Sequence, residues 1–390
     1  MSFQWAARAA LVGQTGLCRI LAAMAVVVVL LLAGLSLSCG NSSSVSTTGP
    51  DHNAYVTLPT RGSVALLHID GATGAITMGA QTPQVAGTTP TGLALLPSKK
   101  FLYAVNSLGN SISIFNVALD GTLTLSGAPM PTGGSSPNAA VIDPSGQYLL
   151  VTNNFTDNVS VFSIDPNSGA LSQMGSPVPA NSNPAEILFT HSGKFVYVSN
   201  PGIQAVTVFS FSNGVLSQLS NSPVASGAGA IGLAVDATDR FLYVANQSAS
   251  NPLVPTIGNI SGFNIDPSTG ALTTILGSPF YATNGTGPSA ITVDPSGSFV
   301  YAVTTGSSYS IWCFTINPTN GQLVAVTNSP FSFAAGGLFA LFDPTGNYFY
   351  IGSQSGIAGY TYNPSTGAPT AITGSPFSTG VEPGGMVLSE

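Results

Sequence analysis

Four apolar runs separated by turn residues recur along most of the chain, and residues 137–182 carry the unit in its clearest form. Residues 139–142 are a short apolar run. Asp143-Pro144-Ser145-Gly146 follows, with Asp first, Pro second and Gly fourth, as a reverse turn prefers. Residues 148–152 are a second run, and 158–164 alternate with the period of two expected of a strand. Asp165-Pro166-Asn167-Ser168-Gly169 turns the chain again before a weaker run at 170–174. The unit predicts a four-stranded antiparallel meander.

Leu96, Asp143, Thr190, Asp236, Asp294 and Asp343 occupy one position of this unit, at spacings of 47, 47, 46, 58 and 49 residues. The second run repeats as FLYAVN from Phe101, YLLVTN from Tyr148, FVYVSN from Phe195, FLYVAN from Phe241, FVYAVT from Phe299 and YFYIGS from Tyr348. Four strands at this period predict an all-β fold, a β-propeller whose sheets bury both faces against their neighbours. Six units are complete, and a seventh is split. Residues 54–83 lack an inner strand, while Pro383-Gly384-Gly385-Met386-Val387-Leu388 begins a unit and stops. The two ends therefore predict one shared blade, giving a seven-bladed β-propeller over 54–390 with no open sheet edge.

Residues 1–38 read as an export signal. Arg8 and Arg19 precede or flank a 16-residue apolar stretch, 20–35, and Ser36-Leu37-Ser38 places small residues before Cys39. Cys39 is the expected lipid attachment point, in the manner of a bacterial lipoprotein, and 39–53 reads as a Ser/Thr/Gly-rich tether. An uncleaved membrane anchor is the alternative, although the stretch is short for a span. The expectation is an exported monomer in the bacterial cell envelope, held to the membrane by an N-terminal lipid.

Charge narrows the partners. Without Arg8 and Arg19, five basic residues face 14 acidic ones, a net of −9. No basic stripe can be assembled, so nucleic acid is excluded as a partner. Cys313 is left alone in an apolar strand, and His52, His68 and His191 fall in no ligand spacing, so neither a metal nor a cofactor is expected.

In such a blade the inner strand starts, and the second strand ends, on one rim of the disc. The third residue of the inner strand is Gly92, Ala139, Glu186, Gly232, Ala290, Phe339 and Gly385 in turn. Glu186 departs from its own repeat, and a carboxylate beside the axis must be wet or paired. Asn106, Asn138, Asn153, Asn200 and Asn246 join it as candidate rim residues, and Arg61 is the cation in a loop on that side. The insertion 247–259 accounts for the 58-residue spacing and is expected over the same rim, where propeller loops carry function.

The repeated Y-V-x-N, followed by V-S-V-F-x-I-D-P-x-S/T-G-x-L, resembles the lactonase-type (6-phosphogluconolactonase-like) seven-bladed propellers and the related YVTN-repeat surface proteins. Residues 184–200, PAEILFTHSGKFVYVSN, are especially similar, with Glu186 matching an acid common there. The resemblance implies lactone chemistry without a metal, using His and Arg near inner-strand starts, with Glu and Arg after second strands. This chain instead has Thr91, Asn138, Ala185, Ile231, Ser289, Leu338 and Gly384 at the first set of positions. At the second it has Pro59, Ser107, Asn154, Pro201, Gln247, Thr305 and Gln354. Two readings follow. The first is a non-catalytic scaffold that binds a protein, glycan or small molecule at the channel mouth. The alternative is a lactone hydrolase with a reduced site, in which Glu186 is general acid or base and Arg61 or an Asn polarises the carbonyl.

The N-terminal reading predicts that Cys39→Ala releases the protein into the soluble fraction. Acyl chains contribute about 0.8 kcal/mol per buried methylene, so their loss is decisive for membrane retention. Unchanged fractionation with the apolar stretch retained would favour the uncleaved anchor.

Overall fold

Every second and third strand is apolar on both faces, so each sheet needs cover on both sides, and a ring of sheets supplies it. The computed structural model of the protein describes residues 51–247, 258–281, 287–305, 309–333 and 336–389. The N-terminal signal, Cys39 and most of the 247–259 insertion lie outside the described residues. Among these residues the strands form seven antiparallel sheets. The third sheet shows the pattern: Pro137–Ile142 pairs with Tyr148–Asn153, which pairs with Asn158–Ile164. The strand Met386–Leu388 completes the first blade by pairing with His52–Leu58, in the register Ala54 to Leu388, Tyr55 to Val387 and Val56 to Met386. That blade begins two residues earlier than the repeat suggests, because His52 and Asn53 pair with Ile69 and His68.

The outer strand differs from the single run expected at 170–174. It is broken into Leu171–Gln173 and Val178–Pro179, both paired with Asn158–Ile164. Gly175 between them sits at φ 69°, a left-handed turn that takes the chain out of the sheet and back. In the fifth and seventh blades the second piece shrinks to single bridges, Ile260 to Phe280 and Ile357 to Phe377.

Cores lie between blades rather than within them. Phe101, Tyr103 and Ile112 of the second blade pack with Leu149, Val151 and Phe162 of the third. Across the closure, Ala54, Val56 and Leu67 of the first blade pack with Tyr348, Tyr350 and Ile357 of the seventh. A polar clasp accompanies this packing. Tyr55, Tyr103, Tyr197, Tyr243, Tyr301 and Tyr350 are fully buried in their second strands. Each donates its hydroxyl to a glycine carbonyl in the outer turn of the next blade: Gly121, Gly169, Gly270, Gly321, Gly367 and Gly74, at 2.8–3.1 Å. The third blade has Leu150 at this position and makes no such bond.

Removing one clasp leaves a buried carbonyl without its donor, so Tyr243→Phe is expected to cost about 1–2 kcal/mol of unfolding free energy. Urea denaturation of the variant and wild type checks this; equal midpoints would mean that the clasp contributes nothing net.

Candidate functional site at the channel mouth

A β-bulge sets the shape of the channel mouth. In the third blade Pro137 is opposite Asn153 and Ala140 opposite Val151, so one extra inner-strand residue is inserted between them. The same shift occurs in the second, fifth, sixth and seventh blades. Neighbouring residues of a regular strand face opposite ways, but a bulge re-aims them. Asn138 with Ala139, Ala185 with Glu186 and Leu338 with Phe339 therefore line one axial cavity of about 370 Å³.

In the fourth blade the inner strand is only Ile187–Phe189. Ser199 of the second strand holds it from both sides. Its carbonyl accepts the Ala185 N–H at 2.9 Å, its hydroxyl accepts the Glu186 N–H at 3.0 Å, and its own N–H donates to the Glu186 carbonyl at 3.0 Å. The Glu186 side chain, part-buried in the wall, crosses the seam and accepts the Leu233 N–H of the fifth blade at 2.8 Å. Burial pushes its carboxyl up from the ordinary 4.5 to about 7, against the opposing pull of that Leu233 N–H.

Leu233 donates to Glu186 rather than to its own sheet because the inner strand is a sheet edge. Leu93, Ala140, Ile291 and Ala340 hold the equivalent register. Alternation along an antiparallel pair turns their N–H and C=O groups to the axis as well. Ile291 and Ala340 also line the cavity, so peptide N–H donors stand in the same mouth as the Glu186 carboxyl.

The other sequence candidates divide. Asn138 reaches the cavity, and its Nδ2 donates to the Ala185 carbonyl at 3.1 Å. Asn106, Asn153, Asn200 and Asn246 are fully buried, and their amide N–H groups are taken by nearby strand ends and turns, while Oδ1 of Asn106 and of Asn153 has no partner among the described residues. Asn153 donates to Asn158 and Ser160 at 2.8 Å each, Asn246 donates to Asn259 and Ser261, and Asn106 donates to Ser111 and Ser113. Asn200 donates to the Ala180 carbonyl and accepts the Thr207 hydroxyl. Arg61 is exposed, 3.4 Å from the Gly380 carbonyl, and is not among the cavity-lining residues. Glu186 and Asn138 thus come together at the mouth; Arg61 and the four other asparagines do not join them. Ser199 and the Leu233 N–H escape reasoning from the repeat. A signal for Ser199 exists: Thr57, Thr152 and Ser199 hold one repeat position, and each hydroxyl accepts a bulge N–H.

Comparison with known proteins agrees with this geometry. The sequence profile described as Lactonase, 7-bladed beta-propeller matches residues 50–183, 176–279 and 256–380. A Bacteroides uniformis protein provisionally described as a 6-phosphogluconolactonase is 19% identical, with a TM-score of 0.75, covering 87% of this chain and 100% of its own. The periplasmic gluconolactonase of Pseudomonas aeruginosa is 19% identical with a TM-score of 0.71, covering 87% and 99%. A Lactobacillus plantarum protein gives 0.73 at 19% identity, covering 87% and 100%. These likenesses show a shared fold. A search of the curated proteins found no match.

The raised carboxyl sets a pH dependence of stability. A folded-state value near 7 against an ordinary 4.5 means that the fold prefers Glu186 protonated. That contribution is full below about pH 4.5 and is lost as pH rises through 7, approaching about 3 kcal/mol. Glu186→Gln keeps an acceptor for Leu233 but cannot ionise, so its stability relative to wild type should rise by this order between pH 4.5 and 8. Parallel denaturation curves at both pH values measure it; a pH-independent difference would contradict a desolvated carboxyl.

Proposed function

The chain belongs to the seven-bladed lactonase propeller family, and from that premise we propose that it hydrolyses lactones at the channel mouth with Glu186 as general base. The observation that carries this reading is a carboxyl that burial pushes up to about 7, close to the pH at which a base works best, lining one cavity with the inner-strand edge residues Ile291 and Ala340. In the proposed reaction Glu186 takes a proton from water, and the water oxygen attacks the lactone carbonyl carbon. Edge N–H groups of Ile291 and Ala340 stabilise the oxyanion. The ring C–O bond then breaks, and the alkoxide takes the proton back from Glu186. The product is the open hydroxy acid. As the family resemblance implies, this sequence of proton transfers uses no metal.

A non-catalytic binding scaffold remains the second reading, because of what occupies the positions where the resemblance implies His and Arg. Thr91 and Ser289 donate their hydroxyls to the Asn138 and Gly337 carbonyls of the next blades, and Asn138 donates to Ala185. Ala185, Ile231, Leu338 and Gly384 cannot polarise a carbonyl through their side chains. Under either reading, export and attachment through Cys39 are part of the proposal.

The deciding measurement is lactone hydrolysis by wild type and Glu186→Gln. We expect wild-type turnover whose acid limb rises through about pH 7, and a loss of roughly 10²-fold or more in kcat in the variant with the fold intact. Wild type inactive at every pH would leave the scaffold reading; a variant as active as wild type would remove Glu186 from the chemistry.

A further inference from the structure

We infer that the channel mouth selects uncharged sugar-acid lactones and rejects their phosphorylated counterparts, an inference that deepens the hydrolase reading and rests on it. It follows from where the charges of this chain lie. Among the described residues that line the cavity, Glu186 is the sole ionisable side chain. Asp157, in the turn between second and third strands, and Glu382, just before the final inner strand, add exposed acids on the same rim. Four of the five lysines and arginines among the described residues are elsewhere. Lys99, Lys100, Lys194 and Arg240 sit in the turns between inner and second strands, at the other end of those strands. Arg240 is held there by its own surroundings, with Nε donating to Thr238 at 2.9 Å and the guanidinium 4.8 Å from the Phe241 ring centre. The fifth, Arg61, is in a loop on the Glu186 side but is against the Gly380 carbonyl and does not line the cavity. The sequences of 248–257, 282–286, 306–308 and 334–335 contain no ionisable residue.

A phosphate dianion brought to such a mouth would shed water without gaining a cation, and would do so beside a carboxylate. Glu186, Asp157 and Glu382 outnumber Arg61 on the rim, so the local field opposes a like charge and slows its approach. A polyol lactone meets no such barrier. Its hydroxyls both donate and accept, which matches a wall of inner-strand edges offering N–H and C=O in alternation. The side-chain amide of Asn138 and the free lone pairs of the Glu186 carboxyl extend the same matching.

Glucono-1,5-lactone and its 6-phosphate are the probes, compared at fixed ionic strength after subtraction of spontaneous hydrolysis. Wild type should favour the uncharged lactone by 10²-fold or more in kcat/KM, with the loss for the phosphate appearing largely in KM. Binding is read separately, by titration calorimetry of each compound with wild type and Glu186→Gln. Selective binding of the uncharged compound without turnover would sink the hydrolase reading and support the charge selection. Binding or turnover of the phosphate equal to that of the uncharged lactone would overturn the charge selection, whatever becomes of the hydrolase. If neither compound binds, both inferences fail.

Discussion

Every inner strand of this ring is the end strand of its sheet, and its unpaired edge is the constraint on which the centre of the molecule depends. Backbone N–H and C=O groups left near an axis must find water or a partner. The chain supplies partners blade by blade. Thr91, Asn138 and Ser289 reach to the next blade's carbonyls directly. Where the inner-strand position is apolar, a hydroxyl from the second strand takes over, as Ser199 does for Ile231 at 2.9 Å and Thr57 for Thr91 at 3.1 Å. Glu186 answers the same need with a carboxyl, accepting from Leu233. The candidate functional group is therefore also a seam between blades, and its chemistry cannot be separated from its part in holding the ring.

Nearer the perimeter, the tyrosine clasps solve a parallel problem. A glycine carbonyl in an outer turn is covered by the neighbouring blade and takes its hydrogen bond from that blade's tyrosine. Burial strengthens the arrangement, since it pushes Tyr55 up to about 12 and raises Tyr103 and Tyr243 further, so all three remain neutral donors at physiological pH. Leu150 breaks the pattern in the third blade. There Tyr148 lies against the turn at Gly214, as Phe101, Phe195, Phe241, Phe299 and Tyr348 do at their turns, and packs edge-on to Phe211 with ring centres 5.4 Å apart, but no hydroxyl clasp accompanies it. The fourth blade thus meets its neighbour through rings rather than through a hydroxyl.

Much of this architecture is legible in the amino-acid sequence. Blade number and closure can be read because turn chemistry repeats: Asp143, Asp236 and Asp294 each accept three backbone N–H groups across their turn and Asp343 accepts two, so a side-chain requirement marks each unit. Glu186 stands out because six equivalent positions cannot ionise. The bulge is harder to see, since it is a property of backbone pairing and leaves only Thr57, Thr152 and Ser199 as a trace. The rim asparagines mislead for a related reason. A side chain at a strand end can face solvent or fold back onto its own turn, and sequence does not distinguish the two. Here they fold back, completing the hairpin through Ser113, Ser160, Thr207 and Ser261.

The shared first blade has a consequence for the order in which the molecule is built. Ala54 pairs with Leu388, so the strand made first among the described residues lacks its inner partner until almost the whole chain has followed. During synthesis the later blades can stack on one another as each is completed, because their contacts are between sequence neighbours. The first and seventh faces, including Val56, Leu67 and Tyr350, stay apart over that time. Such long-separated contacts form late and leave apolar edges open in the meantime. Ring closure is then a single terminal event, and it covers both open faces at once.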